Sequence, residues 1–176
     1  QLSQMINDIL ELSKVDSGKM ELSTSLFNVN QLLDDLKQHF QAVAKEKKLG
    51  LVFSVEPGIN TQRYGDPSKI KKVLMSLLQN AIKFTHSGQV ILTVTLGENK
   101  NQLIFNVIDT GIGLNQEQIN NLFVDFTQID DSSSRKYDGM GLGLNYSKKL
   151  VNLMDGKFEV SSKLHEGSHF SVILNL

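Results

Sequence analysis

The sequence contains no cysteine in its 176 residues. That absence excludes disulfide bonds, zinc sites built on thiolates and catalysis by a thiol, and it is compatible with a reducing compartment. Proline occurs only twice, and no apolar run approaches the roughly 20 residues that a membrane-spanning helix requires. An excess of either charge is also absent, because 18 basic and 19 acidic side chains leave a net charge of −1. We therefore expect a soluble domain that contacts neither nucleic acid nor a membrane directly.

The N-terminal segment carries apolar residues at helical spacing. The repeating positions are Leu2, Met5, Ile6, Ile9, Leu10 and Val15, and Gly18 ends the run. Two interpretations fit this stripe. It is either the end of a longer helix that packs on another helix, in the parent protein or in a dimer, or an N-terminal helix that packs on its own domain.

The rest of the sequence predicts one α/β domain. Hydrophobic residues make up 40% of the chain, which fits a packed core. Helical spacing predicts helices over residues 32–43, 70–81 and 142–154, and Asp66-Pro67 caps the second of them. Extended patterns predict a short piece at 27–29 and strands at 51–55, 90–96, 103–107, 158–160 and 170–176. This order favours a two-layer α/β (α+β) sandwich with helices on one face of a mixed sheet.

Asn80 interrupts the most apolar of the predicted helices, although asparagine is a mediocre helix former. Ser76, Asn80 and Lys83 fall at i, i+4 and i+7, so they line one edge of that helix. An amide oxygen and an ammonium group pointing the same way suit a phosphate chelated to Mg²⁺. The alternative is a solvated helix edge, which these residues taken alone favour.

Asp109 ends a predicted strand at a position that shares its face with Leu103, Phe105 and Val107. A carboxylate on an apolar face is costly unless something donates hydrogen bonds to it, and the exocyclic amine of a flat heterocycle would do so. The following Thr110-Gly111-Ile112-Gly113 permits close approach of the backbone. The alternative is an ordinary turn at the end of a strand, where Asp and Gly are common.

A glycine-rich stretch, Gly139-Met140-Gly141-Leu142-Gly143-Leu144, opens the last predicted helix. Free N–H groups and the positive end of the helix dipole at such a start suit a phosphate, although no strand immediately precedes it as in dinucleotide-binding folds. Residues 114–140 show no clear periodicity, and aperiodic segments of that length often form lids. Disorder without function is the competing interpretation.

Taken in order, these motifs resemble the N, G1, F and G2 boxes of sensor histidine kinases, which belong to the GHKL ATPase superfamily. The resemblance covers essentially the whole chain. Within the family, the sequence is similar to the hybrid-kinase subgroup, whose members are often fused to receiver domains. The matching segments are Asn80 to Thr85, Asp109 to Gly113, Phe123 with Phe126-Thr127-Gln128, and Gly139 to Leu144.

The resemblance implies ATP and Mg²⁺ as ligands. Asn80 would ligate Mg²⁺, Lys83 would contact phosphate, and Asp109 would accept a hydrogen bond from the adenine amino group. Gly111 and Gly113 would shape the base pocket and the hinge of the lid. The remaining ATP-binding positions that it implies are Ile112, Lys136 of the lid, Gly139, Gly141, Leu142, Gly143 and Ser168.

The resemblance also implies an organisation and partners. Residues 1–20 would end the dimerisation helix, and residues 21–176 would form a GHKL/Bergerat-type catalytic domain with a lid at about 114–140. The phosphoacceptor histidine would lie upstream of Gln1, because none of the four histidines has an acidic helical context. The partners would be the dimerisation helices in a homodimer and a response-regulator receiver. The domain would be cytoplasmic, in a parent anchored in the cell membrane.

Several positions depart from the family pattern and leave further functions open. Ser76 stands where these kinases often have Asn, and Asp138, Met140, Asn145 and Tyr146 are also unusual. A gyrase-type ATPase would place a Glu general base at position 76, which is Ser, so no group is evident to activate water. A protein-serine kinase and a degenerate module that acts by docking are also compatible with these motifs.

Overall fold

The computed structural model describes residues 2–123 and 143–176, in which helices and strands alternate. The helices are α1 (Leu2–Asp16), α2 (Val29–Glu46), α3 (Pro67–Phe84), α4 (Gln116–Asn121) and α5 (Gly143–Leu153). The strands are β1 (Ser25–Asn28), β2 (Gly50–Val55), β3 (Gln62–Gly65), β4 (Gln89–Leu96), β5 (Gln102–Asp109), β6 (Lys157–Lys163) and β7 (Gly167–Asn175). Each helix and strand predicted from spacing has its counterpart here. Leu142, the first residue of the predicted helix at 142–154, lies outside the described residues.

The main sheet has five strands in the order β2-β4-β5-β7-β6. Strands β2 and β4 are parallel, and every other neighbouring pair is antiparallel. Buried and half-exposed residues alternate along β5, as expected for a sheet covered on one face. Helices α2, α3 and α5 pack on that face and on one another. The prediction of a mixed sheet with helices on one face is therefore confirmed.

The core lies between α3 and the central strands. Ile70, Leu74 and Leu78 on α3 are each at most 1% exposed, and Leu92 and Phe105 on the sheet are fully buried. Burial of each such side chain stabilises the fold by about 1.5–3 kcal/mol. This packing holds one face of α3 against the sheet and leaves its Asn80 edge at the margin of the core.

The N-terminus of α3 is fixed by Asp66, the cap that the sequence predicted. Its Oδ1 accepts hydrogen bonds from the Lys69 N–H at 3.0 Å and from the Ser68 hydroxyl at 2.8 Å. Its Oδ2 accepts a hydrogen bond from the Ser23 N–H at 2.8 Å. Pro67 fills the first turn, where its missing N–H costs nothing. One side chain therefore ties the segment before β1 to the start of α3.

Three local elements differ from the sequence prediction. Strands β1 and β3 form a separate antiparallel pair, which was predicted only as an extended piece at 27–29. Val29 is not extended, because Asn28 accepts a hydrogen bond from the Gln31 N–H and α2 begins directly after it. The segment predicted as aperiodic contains α4, which Asn115 and Gln118 open with a capping box.

Helix α1 has one packed face and one exposed face. Leu12 and Val15 pack against the core, and the helix contacts α5. Ile6, Ile9 and Leu10 are 50%, 46% and 54% exposed. Within residues 2–123 and 143–176, no helix is both long and apolar enough to cross a membrane.

Candidate functional site

Asp109 is the buried acidic group of the site. It ends β5 with only 6% exposure, and its Oδ1 accepts a hydrogen bond from the Gly111 N–H at 2.8 Å. Burial raises the pKa of its carboxyl group, although N–H groups of Gly111 and Ser168 act in the opposite direction. A buried carboxylate of this kind gains from each further hydrogen-bond donor. The position predicted from strand parity is therefore confirmed as buried on the helix-covered face.

Ser168 lies beside Asp109 because the two residues are partners in the register of β5 and β7. Its hydroxyl is 3.0 Å from the hydroxyl of Ser162, which itself donates to the Gly167 carbonyl at 2.8 Å. The Leu114 N–H also donates to Ser162 at 2.8 Å. Ser162 is thus a residue of the site that the sequence did not reveal, since only the pairing of β6 with β7 brings it there.

The two glycines after Asp109 are required by the packing of the protein itself. A Cβ at Gly111 would lie 2.4 Å from the Phe84 carbonyl oxygen, at the end of α3. Gly113 has φ +65°, and its Cβ would lie 2.0 Å from the Lys163 carbonyl oxygen. Between them, Ile112 donates its N–H to the Phe84 carbonyl at 3.1 Å. These contacts hold the loop against both α3 and the turn that joins β6 to β7.

The polar edge of α3 is present as predicted. Asn80 and Lys83 are both half-buried, and Lys83 Nζ lies 5.1 Å from the centroid of the Phe84 ring. Ser76, one turn earlier, abuts the start of α5, because a Cβ at Gly143 would lie 2.8 Å from its Oγ. The edge that carries Asn80 therefore adjoins the N-terminus of α5.

Several predicted site residues lie outside the described residues, namely Lys136, Gly139, Gly141 and Leu142. So do most of the predicted lid, Phe126 of the F box, and the unusual Asp138 and Met140. Of the F box, Phe123 is described, and its ring centroid lies 5.2 Å from that of Phe158 in an edge-to-face arrangement. Contacts join Asp109, Gly111 and Ile112 to one another or to the end of α3, and the strand register places Ser168 beside Asp109. Gly143 contacts Ser76, on the edge of α3 that also carries Asn80 and Lys83.

A metal ion would need help from a ligand at this site. In the described part of the chain, no cluster of three His, Asp or Glu side chains could hold a metal ion. Asn80 offers one neutral oxygen, whereas Mg²⁺ requires about six oxygens and is usually held by one or two protein groups plus phosphates and water. The donor set thus fits a metal that arrives with phosphates.

Comparisons with known proteins agree with this geometry. The sequence profile of the family described as histidine kinase-, DNA gyrase B- and HSP90-like ATPase matches residues 65–176. Hybrid signal transduction histidine kinase B of Dictyostelium discoideum is 42% identical over 97% of this chain and 9% of its own length. Sensor histidine kinase GacS of Pseudomonas protegens is 40% identical over 98% of this chain and 19% of its own length.

A solved structure gives the same result for the fold. Full-length ShkA in complex with AMPPNP superimposes with a TM-score of 0.88 at 26% identity, over 99% of this chain and 35% of ShkA. The chain thus spans less than a fifth of the two curated relatives and about a third of ShkA.

Proposed function

This chain belongs to the family of histidine kinase-, DNA gyrase B- and HSP90-like ATPases, and on that premise we propose that it is the catalytic domain of a two-component sensor histidine kinase. In this proposal the domain binds Mg²⁺–ATP and presents the γ-phosphoryl group to a histidine on another helix of the parent. Its similarity over nearly its full length to proteins named histidine kinases supports this function over the other activities of the family.

The single observation that carries the proposal is the buried Asp109 carboxylate. It lies at the end of a central strand, with Ser168 beside it and Gly111 donating to one of its oxygens. An ionised carboxylate has about four lone-pair sites, so it can also accept from the amino group of adenine, as the resemblance implies. The AMPPNP in the ShkA structure supports an adenine nucleotide as the ligand.

The α3 edge and the start of α5 would hold the phosphates. Lys83 would supply a positive charge, and the N-terminus of α5 would supply backbone N–H groups and the positive end of the helix dipole. Asn80 would contribute one oxygen to Mg²⁺, and the ion would neutralise charge on the phosphates when it is bound. Catalysis of phosphoryl transfer consists mainly of such positioning and charge stabilisation. Lys136 and the glycines of 139–141 are proposed to complete the phosphate site.

Ser76 supports a kinase rather than a hydrolase. Its hydroxyl lies next to Gly143. A gyrase-type ATPase would carry its Glu general base at this position. A neutral serine hydroxyl does not take a proton from water at neutral pH. The site therefore favours transfer to a protein acceptor over hydrolysis.

Helix α1 supports the proposed partners and domain division. The exposed Ile6, Ile9 and Leu10 form an apolar stripe that suits packing on another helix, so we assign residues 1–20 to the dimerisation helix and 21–176 to the catalytic domain. The proposed partners are a second copy of the parent, its phosphoacceptor helix and, as the word hybrid in the name of the Dictyostelium relative suggests, a receiver domain. We further propose a cytoplasmic location in a membrane-anchored parent.

Calorimetric titration with ATP, with and without Mg²⁺, tests the proposal. We expect binding that strengthens when Mg²⁺ is present and that competes with ADP. GTP serves as the matched control, because its base carries a carbonyl where adenine carries the amino group. Equal affinity for ATP and GTP would contradict the role of Asp109, and absence of binding would contradict the function.

A further inference from the structure

A cavity of about 550 Å³ lies between α1, α3 and α5. Its lining includes Lys69, Lys72 and Ser76 from α3 and Gly143 and Tyr146 from α5. Glu11 of α1 also lines it. The cavity therefore has a basic wall on the catalytic domain and a carboxylate on the N-terminal helix.

The Glu11 carboxylate is bound to this wall. Its Oε2 accepts hydrogen bonds from Lys72 Nζ and, at 2.6 Å, from the Tyr146 hydroxyl. Burial alone would raise the pKa of Glu11, but the hydrogen bonds from Lys72 and Tyr146 outweigh it and hold that pKa below its ordinary value. Lys72 Nζ also lies 5.5 Å from the centroid of the Tyr146 ring. Tyr146, unusual in the sequence, thus joins Lys72 in holding Glu11.

Lys72 lies on the same α3 edge as the proposed phosphate site. Lys72, Ser76 and Asn80 follow one another at intervals of four residues, which is about 6 Å of helix for each step. Ser76 touches the start of α5, so the cavity opens onto the helix N-terminus proposed to bind phosphate. The ammonium group that Glu11 neutralises therefore lines the same cavity as the helix start proposed to bind phosphate, about 12 Å along α3 from Asn80.

We propose that Glu11 competes with the terminal phosphate of ATP for Lys72, an inference that rests on the proposed function. A carboxylate and a phosphate are both oxyanions that accept charge-assisted hydrogen bonds from an ammonium group. While α1 is docked, Glu11 occupies Lys72. When α1 moves away, Lys72 becomes available to the γ-phosphate, so the position of the helix sets the affinity for ATP.

A second ion pair on α1 provides a control that distinguishes competition for Lys72 from simple release of the helix. Asp16 Oδ1 accepts a hydrogen bond from Lys149 Nζ at 2.6 Å, and neither residue lines the cavity. Asp16→Asn and Glu11→Gln each remove one carboxylate that holds α1 to α5 or α3. Only Glu11→Gln also removes the competing charge at Lys72.

The test measures the ratio of ATP to ADP affinity by calorimetry for the chain and its variants at low salt. Glu11→Gln should raise ATP affinity about two- to fivefold, as expected for a partly exposed ion pair, and leave ADP affinity unchanged. Tyr146→Phe, which removes one donor to Glu11, should shift the ratio in the same direction by less. The shift should shrink in 1 M salt. Asp16→Asn, which loosens α1 but keeps the Glu11 charge, should raise the ratio less than Glu11→Gln does, and Lys72→Gln should abolish the gain in the Glu11→Gln background.

Each contrary result overturns the competition. An unchanged ratio in Glu11→Gln, an equal rise in Asp16→Asn, or a gain that survives Lys72→Gln would each do so. The failure of this inference differs from failure of the proposed function. If the unsubstituted chain binds neither nucleotide, the function fails and the inference fails with it; if it binds both and the ratio does not respond, only the inference fails.

Discussion

Three properties of Asp109 bear on its role. It is buried, its pKa is raised by burial, and one of its oxygens accepts a hydrogen bond from Gly111. A raised pKa means that the folded state holds the proton more tightly than the unfolded state does. Ionisation of Asp109 therefore reduces the stability of the fold as the pH rises through the pKa of this carboxyl group. A hydrogen-bond donor on a bound ligand would offset this cost.

The first prediction concerns that trade between affinity and stability. Asp109→Asn should weaken ATP binding by up to about a hundredfold. The NH₂ group of the new Asn would face the adenine amine, and a buried polar group left without a partner costs about 1–3 kcal/mol of binding free energy. The melting temperature at neutral pH should hold or rise, since Asn carries no charge to bury. Calorimetry and thermal denaturation measure both effects.

The matched control is Asp155→Asn. Asp155 is exposed in the turn after α5 with φ +54°, a conformation that Asn tolerates. That variant should bind ATP as the unsubstituted chain does. A folded Asp109→Asn protein with unchanged affinity would contradict the proposed role of Asp109 in binding the base.

The second prediction concerns Asn80. Asn80→Ala should leave the fold intact or stabilise it slightly, because Ala is the better helix former. The strengthening of ATP binding by Mg²⁺ should fall, whereas binding without Mg²⁺ should change little. Gln79→Ala, at the exposed neighbouring position, is the control. Loss of stability with normal dependence on Mg²⁺ would identify Asn80 as a structural residue.

At the scale of elements, strong periodicity made α3, β4 and β5 predictable from the sequence. Helix α4 and the β1–β3 pair were missed for physical reasons. Helix α4 has only six residues and none of them is buried, so no apolar stripe announces it, and its signal was confined to the capping residues Asn115 and Gln118. Strands β1 and β3 pair although α2 and β2 lie between them in the chain, and short strands draw their stability from partners rather than from propensity.

The third prediction tests the cap that joins two of these elements. Asp66→Ala should cost about 0.5–2 kcal/mol of stability at neutral pH. Burial would raise the pKa of Asp66, but hydrogen bonds from Ser23, Ser68 and Lys69 hold it below the ordinary value of 3.8. Stability from this group is thus complete above that value and is lost as the pH falls through the lower folded pKa.

Denaturation of both proteins at a series of pH values measures this contribution. The difference between Asp66→Ala and the unsubstituted chain should be largest near neutral pH and should diminish in acid. Asp35→Ala, which removes an exposed carboxylate paired with Lys71, provides the comparison for a surface charge. A difference that stays constant down to the lowest pH would mean that the cap charge contributes nothing.

At the scale of the whole molecule, the sequence predicted candidate residues for the site but not their arrangement. Asp109 and Asn80 were recognisable because each breaks a local pattern. Ser162, Glu11 and Lys72 break no pattern, and only the sheet register and the docking of α1 bring them to their partners. Such contacts join residues that are far apart in the sequence, so they depend on tertiary packing and local sequence patterns do not reveal them.

The last prediction follows from how the histidines are placed in the whole chain. His39, His86 and His165 are exposed, and His169 faces away from Asp109 on β7, where its Nε2 lies 2.9 Å from Asn106 Oδ1. Phosphoryl transfer requires an acceptor held in line with the γ-phosphate. We therefore expect residues 1–176 to bind Mg²⁺–ATP without phosphorylating themselves or hydrolysing ATP at an appreciable rate.

Incubation with radiolabelled ATP, followed by acid treatment of the protein, measures this outcome. Addition of a dimerisation helix pair that carries an acceptor histidine, in cis or in trans, should produce phosphate that acid releases. The same helices with that histidine changed to Gln should produce none, which shows that the label resides on that residue. Acid-labile phosphate on residues 1–176 alone would place an acceptor among His39, His86, His165 and His169 and refute the argument. ATP binding is measured separately. A chain that binds nucleotide yet transfers only to the added helices would therefore separate the charge-stabilising part of the proposed kinase from its acceptor.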